Sequence, residues 1–100
     1  MQIHITQPAI RYFHEEFDLN KGKSIRIFAR YGGLNQVING FSIGISIDQP
    51  KAQDIKKEID GLSFFIAQQD LWLFKDQKLE IKYSRKQEEI VFSLTSEQNE

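Results

Sequence analysis

The sequence predicts a mainly β domain with two short helices, an α+β chain in which strands dominate. Three patterns carry that prediction. Phe41, Ile43, Ile45 and Ile47 alternate with Ser42, Gly44 and Ser46, a period that a half-buried strand can use and a helix cannot. Asp60-Gly61 stands between the strand-like runs 54–59 and 62–66, and a tight hairpin favours that dipeptide because both turn residues need positive φ. Ile10, Phe13 and Phe17 make one apolar stripe at helical spacing, with Arg11, Glu15, Glu16 and Asp18 turned to water.

The elements follow in order. Ile3 and Ile5 alternate with Gln2 and His4, an opening strand. Thr6 is placed to N-cap the first helix, and Pro8 falls in its first turn, where backbone N–H groups lack partners anyway. Asn20 and Gly22 are the expected stop. A strand over 24–30 runs into the loop Tyr31-Gly32-Gly33-Leu34-Asn35-Gln36, and the strand 41–47 follows, closed by Asp48-Gln49-Pro50 because proline cannot continue a ladder. The hairpin comes next, then a second helix over 68–74 whose Leu71, Trp72 and Phe74 cover a broad apolar arc, with Trp72 read as core. Leu79, Ile81 and Tyr83, then Ile90, Phe92 and Leu94, form a closing hairpin around the polar connection 84–88. Residues 95–100 are polar and are expected to fray. The expected core joins Phe41, Ile43, Ile45 and Ile47 to Phe13, Phe17, Ile25 and Ile27.

One hundred residues, 40% apolar and 27% charged, suit a single domain, 1–100, of ordinary soluble composition. Thirteen basic against fourteen acidic residues give a net charge of −1, which argues against a nucleic-acid footprint. The absence of cysteine removes disulfides and thiolate metal sites. No apolar run is long enough for a membrane span, and Met1-Gln2-Ile3-His4-Ile5 lacks the plan of a signal peptide, so a cytoplasmic protein is the expectation.

This order of elements resembles the HesB-like, A-type iron–sulfur carrier family, across residues 3–94. The pieces that carry the resemblance are Ile25-Arg26-Ile27-Phe28-Ala29-Arg30 running into Tyr31-Gly32-Gly33, the strand end Asp48-Gln49-Pro50, and Asp60-Gly61 before Phe64-Phe65-Ile66. Arg30-Tyr31-Gly32-Gly33, Gly40-Phe41-Ser42-Ile43-Gly44 and Asp70-Leu71-Trp72 are similar to the family's small, cysteine-free branch in Gram-positive bacteria. The resemblance implies a flattened sandwich of two mixed sheets with the helices at its margin. It also implies where cluster ligands would stand: a cysteine just after the loop glycine, and a C-terminal Cys-Gly-Cys. Leu34 occupies the first position, and Ser96-Glu97-Gln98-Asn99-Glu100 holds no counterpart of the pair. Leucine offers iron no lone pair.

No catalytic constellation is legible, and no enzyme, metal or cofactor is expected. His4 and His14, the only imidazoles, lack ligand spacing. The acidic pairs Glu15/Glu16, Glu58/Asp60 and Glu88/Glu89 lie on a solvated helix face or near turns. Ser42, Ser46 and Ser63 have no nucleophile-elbow context, and no GK[ST] or helix follows Gly32-Gly33. The leading expectation is a non-enzymatic protein that binds a protein partner, as an accessory or divergent relative of iron–sulfur assembly. Its expected surface is Tyr31, Gly32, Gly33, Leu34, Asn35, Gln36 and Ile38, where aromatic, apolar and amide groups mix. The alternative is a small-ligand domain using that loop and the face of Arg26, Phe28 and Arg30; against it stands simple ion pairing of the arginines.

Because thiolates are absent from the whole sequence, anaerobic reconstitution with iron and sulfide is expected to leave colourless protein after desalting. A stable brown species with cluster absorption would refute this.

Overall fold

The computed structural model describes residues 2–17, 23–33, 36–38 and 40–97. Its elements are β1 (Gln2–Ile5), α1 (Gln7–Glu16), β2 (Ser24–Tyr31), β3 (Gln36–Ile38), β4 (Phe41–Asp48), β5 (Ile55–Ile59), β6 (Leu62–Ile66), a 3₁₀ turn (Gln68–Asp70), α2 (Leu71–Phe74), β7 (Gln77–Ser84) and β8 (Glu89–Ser96). They form a three-stranded sheet, β1-β7-β8, and a five-stranded sheet, β3-β4-β2-β6-β5. Each sheet contains one parallel pair, β1 with β7 and β2 with β6, so both are mixed. The body measures 37 × 37 × 29 Å.

The alternation that defines β4 in sequence meets an equal alternation in β2. Ile25, Ile27 and Ala29 stand opposite Ile47, Ile45 and Ile43, while Arg26, Phe28 and Arg30 stand opposite Ser46, Gly44 and Ser42. Because side chains alternate along a strand, the isoleucines share one face. They join Leu62, Phe64 and Ile66 of β6, Leu79 and Ile81 of β7, Ala9, Ile10 and Phe13 of α1, and Leu73 and Phe74 of α2 in one apolar cluster. Phe13 meets Phe64 edge-on, with ring centroids 5.7 Å apart. The Asp60-Gly61 turn forms as expected, with φ of 48° and 80°, and pairs Ile59 with Leu62.

Several expectations are corrected. Phe41 is half-buried and lies outside the core cluster, and Phe17, Ile45 and Ile47 pack against that cluster only partly buried. Gln36–Ile38 is a short strand on β4 where a loop was expected; its pairing shifts register between Gln36 and Ile38, which breaks the alternation that would have revealed it. The first helix ends at Glu16, before the expected stop signals, where Phe17 turns to extended backbone to pack its ring on Phe13; Asn20 and Gly22 lie outside the described residues. Thr6 caps α1 through its backbone, its carbonyl accepting from the Ile10 N–H at 2.9 Å. The second helix opens with a 3₁₀ turn, leaving a single α-turn from Leu71 to Phe74. At the other end β8 continues through Ser96, since a ladder with Gln77 and Lys78 needs backbone groups and not apolar side chains. Among the described residues no helix is long and apolar enough to cross a membrane.

Ile27 is fully buried and Ser46, on the opposite face of the neighbouring strand, is half-buried. Ile27→Ala is expected to cost about 2–5 kcal/mol in urea denaturation. Ser46→Ala should stay within about 0.5 kcal/mol. Equal losses would mean that the strand phase is wrong by one residue.

Candidate functional site

Three aromatic side chains form a row at one end of the five-stranded sheet. Tyr31 closes β2 and Phe41 opens β4, and the antiparallel register sets them directly opposite each other. Their rings meet edge-to-face at 5.4 Å, and Trp72 of α2 meets Phe41 as well, at 4.9 Å, each contact inclined by 75°. Edge-to-face contacts orient rings without hiding them. Tyr31 is 86% exposed and Trp72 56% exposed. Ile38, paired with Phe41 from β3, is exposed as well and extends the apolar surface. Tyr31, Trp72 and Ile38 thus leave apolar surface open to solvent at this end of the sheet.

The segment between β2 and β4 is pinned at both ends. The Gly32 N–H donates to the Gly40 carbonyl at 2.6 Å. Gln36 bridges the same region through its side chain, donating from Nε2 to the Gly33 carbonyl at 3.4 Å and accepting at Oε1 from the Gly40 N–H at 3.2 Å. Of the residues expected from sequence to bind a partner, Tyr31, Gly33, Gln36 and Ile38 are exposed and Gly32 is half-buried, while Leu34 and Asn35 lie outside the described residues, as does Asn39. Val37 packs against the core cluster.

Sequence reasoning missed Phe41 and Trp72, both read as core. A signal was available for Trp72. In a helix of one turn, consecutive apolar residues point about 100° apart and cannot all face inward. Leu73 and Phe74 take the core, which leaves Trp72 outside.

The arginine face divides in two. β6 pairs with β2 only at Ile25 and Arg26 and then turns away, so the rest of that side of β2 has no strand neighbour. Asp70, only 7% exposed, fills the gap. Its carboxylate accepts from Arg26 Nη2 at 3.0 Å and from the Ala29 N–H at 3.4 Å. Arg26 also lies over the Phe28 ring, 5.2 Å from its centroid. Arg26 is therefore committed to holding the fold, whereas Arg30 is exposed and has no ion-pair partner among the described residues.

The scaffold has a strong likeness to known proteins. A family model described as iron-sulphur cluster biosynthesis matches residues 1–99. The chain belongs to that family. A Bacillus subtilis (strain 168) relative named pyruvate dehydrogenase inhibitor is 40% identical over 92 residues, covering 92% of this chain and 97% of its own length. The fold is shared with Escherichia coli SufA, described as involved in biosynthesis of iron–sulfur clusters, at a TM-score of 0.66 and 18% identity over 96% of this chain and 86% of SufA. IscA, solved with a [2Fe-2S] cluster, matches at a TM-score of 0.59 and 14% identity over 95% of this chain and 82% of IscA.

The residues present do not fit such a cluster. The chain has no cysteine, and among the described residues no group of three or more His, Cys, Asp or Glu side chains is gathered to hold a metal. His14 is engaged elsewhere, its Nε2 donating to the Asp60 carbonyl at 3.2 Å. In this family member the donor chemistry of the scaffold is missing.

Asp70→Ala is expected to lower stability in urea by about 1–3 kcal/mol, because it strands Arg26 and the Ala29 N–H. Adding Arg26→Met should recover part of the loss, since the unpaired charge goes with it. A double variant less stable than Asp70→Ala would contradict the pairing.

Proposed function

We propose that this protein acts without catalysis, by binding a protein partner through the row Tyr31–Phe41–Trp72 and the neighbouring Ile38, and that the partner is a pyruvate dehydrogenase whose activity it lowers. The carrying observation is the exposed aromatic row on a scaffold that lacks cluster ligands. The choice of partner rests on the Bacillus subtilis relative, whose name is pyruvate dehydrogenase inhibitor and whose 40% identity extends over nearly the whole of both chains. A binding role is also what the chemistry leaves. The described residues gather no metal-ligand cluster, and no paired-acid or nucleophile arrangement is evident in the sequence. Tyrosine and tryptophan are the side chains most often found as energetic anchors of an interface, and here both rings rest edge-to-face against Phe41.

The test adds purified protein to the pyruvate dehydrogenase complex of the same organism and follows its rate. A dose-dependent fall is expected, with capture of the complex on immobilised protein. Tyr31→Ala combined with Trp72→Ala should raise the concentration for half-inhibition by at least about tenfold, as loss of two anchors predicts. The melting temperature should change little, because both rings are exposed. An unaffected rate, or a double variant as potent as the parent, would reject this reading.

A further inference from the structure

Two adjoining hollows lie between β4 and β8, with volumes of about 370 and 400 Å³, and both are walled by Arg30, Ile43, Ile90 and Phe92. The topology explains why space exists there. β3 pairs with β4 only at Phe41 and Ser42, and β8 pairs only with β7, so an open edge of each strand borders the gap.

The chemistry of the wall is specific. Arg30 presents an exposed guanidinium with no ion-pair partner among the described residues, and Ser42 stands directly opposite it in the β2–β4 ladder, 5% exposed. Glycines shape the wall around them. A Cβ on Gly33 would stand 2.5 Å from Ser42 Oγ, and one on Gly44 would stand 2.6 Å from the Phe28 ring and 2.7 Å from Arg30 Cδ. Side chains at either position would displace the serine or lift Phe28 and Arg30 off the sheet.

We propose that the gap between β4 and β8 binds a small organic monocarboxylate, with the Arg30 guanidinium donating to the carboxylate and Ile90 and Phe92 packing on its apolar body. A guanidinium matches a carboxylate with two parallel hydrogen bonds. Glu89 lines the first hollow, so its negative charge disfavours phosphate and di- or tricarboxylates. The apolar wall disfavours free inorganic anions for the separate reason that they leave it uncovered. This inference is independent of the partner surface, since it uses neither Tyr31 nor Trp72.

The experiment is an amide NMR titration of the full chain with phenylacetate and 3-methylbutanoate, set against neutral phenylacetamide, inorganic phosphate and citrate. Saturable shifts are expected at Gly33, Ser42, Ile90 and Phe92 for the monocarboxylates, with phenylacetamide at least about tenfold weaker. Arg30→Gln, at an exposed position, should weaken binding about tenfold with the spectrum otherwise retained. Absence of localised shifts at millimolar ligand, equal affinity of Arg30→Gln and the parent, or tighter binding of phosphate or citrate would each overturn the proposal.

Discussion

The unbroken ladder between β2 and β4 sets the rest of the molecule. From Ser24 opposite Asp48 to Tyr31 opposite Phe41, eight residues of each strand are in register. This places Ile25, Ile27, Ile43, Ile45 and Ile47 on the face that meets α1, α2 and β7. The same register aligns Tyr31 with Phe41 and Arg30 with Ser42, so the candidate partner surface and the candidate ligand gap descend from one set of backbone hydrogen bonds. A slip of one residue would send the isoleucines outward and bury two arginines. The pattern is strongly specified because one face must be apolar.

A second constraint arises where β2 loses its other neighbour. β6 accompanies it for two residue pairs, Ile25 with Phe64 and Arg26 with Phe65, and then gives way to the 3₁₀ turn. An interior strand with free N–H groups is costly, and Asp70 supplies the acceptor that a strand would have offered. The same carboxylate neutralises Arg26 in a partly buried setting, where an unpaired guanidinium would be unfavourable. Asp70 is also the residue from which α2 departs, so this contact fixes the helix that carries Leu73 and Phe74 inward and Trp72 outward. Core, ion pair and aromatic row are thus mechanically joined.

Family membership and donor chemistry separate here. The fold matches SufA and IscA over nearly the whole chain, yet the sequence holds no thiolate. A fold can be shared while the chemistry placed on it differs. In this chain the region between β2 and β4 carries exposed aromatic and aliphatic groups, pinned by Gln36 and by the Gly32–Gly40 hydrogen bond.

Features set by neighbours in sequence were legible in advance. The phase of β2 and β4, the Asp60-Gly61 turn, the stripe of α1 and the lack of cluster ligands each follow from residues a few positions apart or from composition. The family was legible too, from the order of elements and the motifs around Arg30 and Asp60. Exposure was not. Phe41 and Trp72 look apolar enough for any core, and they are separated by thirty-one positions in the chain, yet folding brings them to 4.9 Å and leaves Trp72 exposed and Phe41 half-buried. Asp70 gave no sign that it would stand in for a strand 41 residues away, at Ala29. Local periodicity records which way a side chain points. Whether anything arrives to cover it depends on segments remote in the chain, and only their packing in three dimensions settles that.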